Sequence, residues 1–146
     1  MPYRYLEDLT VADVAFEARG STLEELFTSA WEATLQVMVE DPAALGSTES
    51  RNITVEEPSL DLLLHSFLQE AIYLKDAEGL LLRIETCRVA QGKEGGGTAK
   101  LEARAVGGPI DPQRQLLGTD VKAVTFFRFS LTRDEAGWRA TVVLDV

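Results

Sequence analysis

Two amphipathic stripes with helical spacing lie before Gly79, and past it that spacing never returns. From Leu80 to Asp145 the apolar side chains tend to alternate, in segments that follow one another directly. Alternation puts every second side chain on one face of a strand. Strands are predicted over Leu80–Ala90, Thr98–Val106, Asp120–Thr132 and Trp138–Asp145. Asp134-Glu135-Ala136-Gly137 reads as a turn, and Gly107-Gly108-Pro109-Ile110-Asp111-Pro112 as irregular chain. Lys93-Glu94-Gly95-Gly96-Gly97 is read as a hairpin turn and not a phosphate loop, because no lysine–serine pair or helix start follows it. Strands in succession favour an α+β fold over a doubly wound parallel one. The expected architecture is two-layer: a largely antiparallel or mixed β-sheet packed by the two helices.

The first part of the chain supplies the helices and three further strands. Tyr3–Glu7 is a short strand, Asp8-Leu9-Thr10 a turn, and Asp13–Arg19 a strand closed by Gly20. Ser21 and Thr22, each with a glutamate three residues on, form a capping-box pattern. Leu23, Leu26, Phe27, Ala30, Trp31, Val37 and Met38 then recur at helical spacing until Asp41-Pro42 stops the helix. After a loop and a strand at Arg51–Glu56, Ser59 caps a second helix with Leu60, Leu63, Leu64, Phe67, Leu68, Ala71 and Ile72 along one stripe. His65 lies off the centre of that stripe and reads as a boundary residue; Lys75 suits the last turn, and Gly79 breaks the helix. A chain of 146 residues without a linker is expected to form one domain, residues 1–146.

Charge and rare residues narrow the function. Fourteen basic against 24 acidic residues give a formal charge of −10. Strong direct nucleic-acid binding is therefore not expected, since phosphate contacts need a basic footprint. A hard cation or a basic partner suits such a surface, although acidity also serves solubility alone. The one cysteine, Cys87, excludes an internal disulfide and reads as a small hydrophobe within a strand. A single histidine argues against zinc hydrolysis and a histidine-based triad. No apolar run is long enough to cross a membrane and the N-terminus shows no signal pattern, so a cytoplasmic protein is expected.

Three positions stand out. Within the run Leu117–Leu131, Lys122 shares a strand face with Val124 and Phe126. Either its stem lies on apolar surface and its ammonium reaches water, or it is a fixed cation beside carboxylates. Asp13 begins a strand and Asp145 ends the last one. If those strands pair antiparallel, the two acids meet, with the main-chain carboxylate of Val146 next to Asp145. Like charges that close need a proton, a cationic partner or a bridging ion, and calcium accepts irregular oxygen geometry best. The alternative is two strand-end aspartates in water, and spacing alone favours it.

The chain also carries Ala12-Asp13-Val14, then Gly20-Ser21-Thr22-Leu23-Glu24-Glu25-Leu26-Phe27, then Tyr73-Leu74-Lys75-Asp76-Ala77-Glu78-Gly79-Leu80-Leu81. Pro109-Ile110-Asp111-Pro112, Thr119-Asp120-Val121-Lys122-Ala123-Val124-Thr125 and the closing Gly137–Val146 follow. Together, over nearly the whole length, this resembles the archeases, small acidic proteins that assist the tRNA-splicing RNA ligase. The resemblance implies an α+β protein that is not itself a ligase. It implies a divalent cation, most simply Ca2+, held by Asp13, Asp145 and Val146, with Lys122 among the functional residues. It implies that the protein speeds guanylation of the ligase, lets it turn over repeatedly and can broaden its nucleotide use. A second role implied for the family is chaperone-like modulation of a tRNA methyltransferase. Three histidines common in the family are absent: Thr10, Gln115 and Phe127 stand in their places. That leaves the carboxylates intact and bears on partner contacts. A stand-alone phosphohydrolase is disfavoured, because no nucleophile is placed for it.

Overall fold

Helix α1, Leu23–Met38, starts where Thr22 accepts a hydrogen bond from the Glu25 N–H at 3.1 Å, and the Glu25 carboxylate takes the Ser21 N–H at 2.8 Å. The first bond satisfies a donor that the first helical turn leaves open, and the second ties the residue before the cap to that turn. The computed structural model describes residues 2–6, 13–92, 97–113 and 115–146. The turn read at Asp8-Leu9-Thr10 and most of the one at Lys93–Gly97 lie outside the described residues. Helix α2, Leu60–Glu78, ends at Gly79, whose φ of 66° is the left-handed conformation that glycine adopts without strain. The helices meet through Phe67, whose ring lies 4.8 Å from Trp31 and 5.9 Å from Phe27.

Strands β1 (Tyr3–Tyr5), β2 (Val14–Gly20), β3 (Glu49–Glu57), β4 (Leu80–Ala90), β5 (Ala99–Pro109), β6 (Ala123–Val124), β7 (Ser130–Asp134) and β8 (Gly137–Asp145) form two antiparallel sheets. One runs β1-β2-β8-β6, with β7 also on β8; the other runs β3-β5-β4. The fold is α+β, as expected, with two sheets in place of one. One continuous core joins them: Phe16, Ala18, Val142 and Leu144 from the first sheet, Leu81, Leu101 and Ala105 from the second, and the apolar stripes of both helices. Trp31 ties α1 to the second sheet by donating its indole N–H to the Leu82 carbonyl at 2.7 Å. No helix among the described residues is long and apolar enough to cross a membrane.

Two segments differ from expectation. Gly107 and Gly108 are not irregular chain but part of β5, paired with Leu82 and Leu81. A Cβ on Gly107 would lie 2.2 Å from the Leu81 carbonyl oxygen, so glycine here permits close strand approach and does not break the strand. The predicted strand Asp120–Thr132 is not continuous: only Ala123–Val124 and Ser130 onward are paired. Between them the chain turns at Phe126-Phe127-Arg128-Phe129, with Arg128 at φ 52°. Its alternation therefore does not sort residues onto two faces. Val121 and Val124 are buried, while Lys122, Phe126 and Phe127 are exposed.

Candidate functional site

Strands β2 and β8 pair antiparallel with Val14 opposite Leu144 and Ala15 opposite Val143. Asp13 immediately precedes β2 and Asp145 is the last residue of β8, each next to that final pair. On the other side of β8, Ala123 of β6 stands opposite Asp145, and the Lys122 N–H donates to the Asp145 carbonyl at 2.8 Å. The end of β8 thus lies between the start of β2, which follows Asp13, and the segment of Lys122 and Ala123. Period two assigns Asp13 and Asp145 to the face with Ala15 and Val143, while Phe16, Val142 and Leu144 face the core. The Val146 side chain, next in sequence to Asp145, packs against the core. Lys122 is exposed and makes no ion pair among the described residues.

Helix α2 fixes this edge through three polar side chains. Gln69 accepts the Val124 N–H at 2.7 Å, and His65 donates Nε2–H to the Val124 carbonyl, also at 2.7 Å. A carbonyl can only accept, so that bond requires the proton on Nε2. Lys75 is only 8% exposed. Its ammonium binds the Asp120 carboxylate, the Val121 carbonyl at 2.8 Å and the Asp76 carboxylate at 2.7 Å. Burial alone would pull its pKa down; the hydrogen bonds and charges of Asp120 and Asp76 outweigh that, so it stays protonated beyond the usual lysine range. Sequence reasoning assigned Lys75 to the helix end and His65 to the boundary. The available signal was spacing: Lys75 follows Ala71 and Ile72 by four and three residues, on the buried stripe.

Two of the three histidine-replacing positions are described. Gln115 is buried and structural, taking the Asp111 N–H at 2.9 Å and donating to the Pro109 carbonyl at 3.3 Å. Phe127 is exposed at the turn after β6. Thr10 lies outside the described residues. Farther along the face that carries Asp13, Glu17 is nearly buried beneath Arg19 and Arg4, at 2.8 and 3.7 Å. Burial opposes its ionisation, but the Arg19 hydrogen bond and the charges of Arg19, Arg4 and Arg139 prevail, so its carboxyl sits below the usual range. Burial and the charge of Glu24 push the Cys87 thiol up to about 11, against a hydrogen bond with Thr28, which leaves it a poor nucleophile at neutral pH.

Among the described residues, no three His, Cys, Asp or Glu side chains gather into a metal-holding group. What the edge offers is a pair of carboxylates, adjacent main-chain oxygens and an exposed lysine. The archease protein family matches this chain over residues 3–146. An archease of Methanosarcina barkeri is 33% identical across 99% of this chain and 95% of its own length. That of Thermococcus kodakarensis is 34% identical across 92% and 93%. The solution structure of Methanobacterium thermoautotrophicum protein 1598 superimposes with a TM-score of 0.80 at 26% identity, covering 99% of both chains. A Thermotoga maritima crystal structure, described as an archease and possible chaperone, shares the fold at a TM-score of 0.58 and 20% identity over 94% and 93%.

Proposed function

The chain belongs to the archease family, and from that premise we propose that it is a cation-binding accessory protein that promotes guanylation and multiple turnover of a tRNA-splicing RNA ligase. The observation that supports this reading is the antiparallel register of β2 and β8, Val14 opposite Leu144, with Asp13 and Asp145 the next residues on either strand and the Lys122 N–H on the Asp145 carbonyl. The donor set suits a hard divalent ion: carboxylates from Asp13 and Asp145, main-chain oxygen from Val146, and neither thiolate nor imidazole. Ca2+ suits it best, because it accepts irregular oxygen ligation and completes its shell with water. When bound, the ion supplies positive charge at the sheet edge. Asp13 and Asp145 hold that charge, and Lys122 presents a second cation beside it to phosphate or carboxylate groups of the ligase complex.

The test is multiple-turnover RNA ligation by the ligase of the same organism with GTP, with and without this protein. Asp145→Ala should abolish stimulation while far-UV circular dichroism and Tm remain close to wild type, because the residue is a strand end outside the core. Full stimulation by a folded Asp145→Ala protein would sink the reading. A second reading, chaperone-like modulation of a tRNA methyltransferase, draws on the exposed Leu116, Phe126 and Phe127 and on the description of the Thermotoga neighbour. It expects changed methylation with ligation unaffected.

A further inference from the structure

Beside the acid pair, the chain leaves β6 and displays two aromatic rings to water. Phe126 is 62% and Phe127 56% exposed. They are not loose. The Phe126 ring stacks on His65 at 3.8 Å with 10° between planes, and Phe129 meets both rings edge-on at 5.5 and 6.2 Å. His65 is itself pinned to the Val124 carbonyl. The turn closes with the Phe129 N–H on the Phe126 carbonyl at 3.2 Å. Arg128, its third residue, has a φ of 52°, a left-handed conformation that glycine or asparagine adopts at lower cost. The guanidinium lies 5.6 Å above the Phe127 ring and has no ion pair among the described residues.

We infer that Phe126-Phe127-Arg128 is a preformed docking knob that enters an apolar pocket rimmed by carboxylates on the RNA ligase. The inference rests on the ligase-partner reading above and names the contact. Two aromatic rings and an arginine on a rigid support are the composition of interface hot spots, and rigidity lowers the ordering cost of binding. Charge fixes the rim: Lys122 and Arg128 make this tip basic on a chain of net charge −10, so it complements acidic groups. Position fixes the partner. Thr125, one residue before the turn, donates to the Val143 carbonyl at 3.0 Å, two residues from Asp145. Whatever receives the knob is therefore presented with Asp145 and Lys122. Single-stranded RNA could stack on the same rings, but two cations are too few for the basic groove that tracks a phosphodiester backbone.

The experiment titrates this protein into a fixed concentration of the ligase with GTP and RNA, and reads half-maximal concentration and maximal stimulation separately. Phe127→Ser and Arg128→Glu should raise the half-maximal concentration about tenfold or more with the maximum retained at saturation. Arg128→Gly should raise Tm and still weaken docking, which a purely structural turn would not do. Asp145→Ala should lose the maximum yet compete with wild type for the ligase. Wild-type stimulation with unchanged half-maximal concentrations for Phe127→Ser and Arg128→Glu overturns the knob and leaves the ligase reading standing. Absence of both stimulation and ligase binding by wild type overturns both. Binding of a fluorescein-labelled single-stranded RNA that Phe127→Ser abolishes replaces the knob with a stacking platform. A sedimenting dimer broken by the same variant replaces it with self-association.

Discussion

Lys75 is the residue on which the candidate site most depends without belonging to it. Its buried ammonium ties the backbone just before Lys122 to α2. Lys75→Met keeps the apolar stem but leaves the Val121 carbonyl without its donor. An unsatisfied buried acceptor costs about 1–3 kcal/mol, so the urea midpoint should fall accordingly. Asp120 and Asp76 are well exposed and recover hydration, which keeps the loss below that of a fully buried pair. The pH dependence follows from the raised pKa. Lys75 contributes stability fully below its unfolded pKa, near 10.5, and that contribution fades as pH rises through the folded value. The wild-type and Lys75→Met stability curves should therefore converge at strongly alkaline pH. A constant gap between them would assign the loss to packing alone.

At the scale of elements, the helices were legible because their signals are local. Thr22 and Glu25 cap as their spacing indicates, and Gly79 ends α2 in the left-handed conformation. The segment from Asp120 to Thr132 was misread because alternation marks a strand only when a neighbouring strand uses it. Here β6 is two residues long, and the backbone around it is held by side chains of α2: Gln69, His65 and Lys75. No glycine or asparagine marks the turn, since Arg128 supplies the positive φ. The pairing of β2 with β8 was legible for the opposite reason: an antiparallel pair joins the start of one strand to the end of the other, and these two strands do so. Gly107 shows how much a single hydrogen atom matters inside a strand. Gly107→Ala would drive a methyl group into the Leu81 backbone, as a Cβ there lies 2.2 Å from the carbonyl oxygen. Relief requires β4 and β5 to separate locally, at about 1–3 kcal/mol on the scale of overpacked cores. Urea unfolding should show that loss, and an unchanged midpoint would mean the strands do not approach so closely.

The whole molecule raises a question of cooperativity, because among the described residues its two sheets share no strand, yet both contribute to one core. Phe16, Val142 and Leu144 lie in the same buried cluster as Leu81, Leu101 and Ala105, with both helices between. Opening either sheet would expose apolar surface on the other, and that penalty makes partial unfolding unfavourable. The two tryptophans report the two halves. Trp31 is bound to Leu82 on β4, and Trp138 lies on β8 with the Arg133 guanidinium 5.4 Å from its ring. Variants with one tryptophan each, Trp138→Phe and Trp31→Phe, should each give a single urea transition by fluorescence. Each transition should coincide with that variant's own far-UV circular dichroism, although Trp31→Phe should lower the midpoint by losing its indole hydrogen bond. Coincidence in both variants means that the edge carrying Asp13, Asp145 and Lys122 is as stable as the core itself. A Trp138 signal that melts before the dichroism would mean that the sheet bearing the site opens independently, and would end the expectation of one cooperative domain.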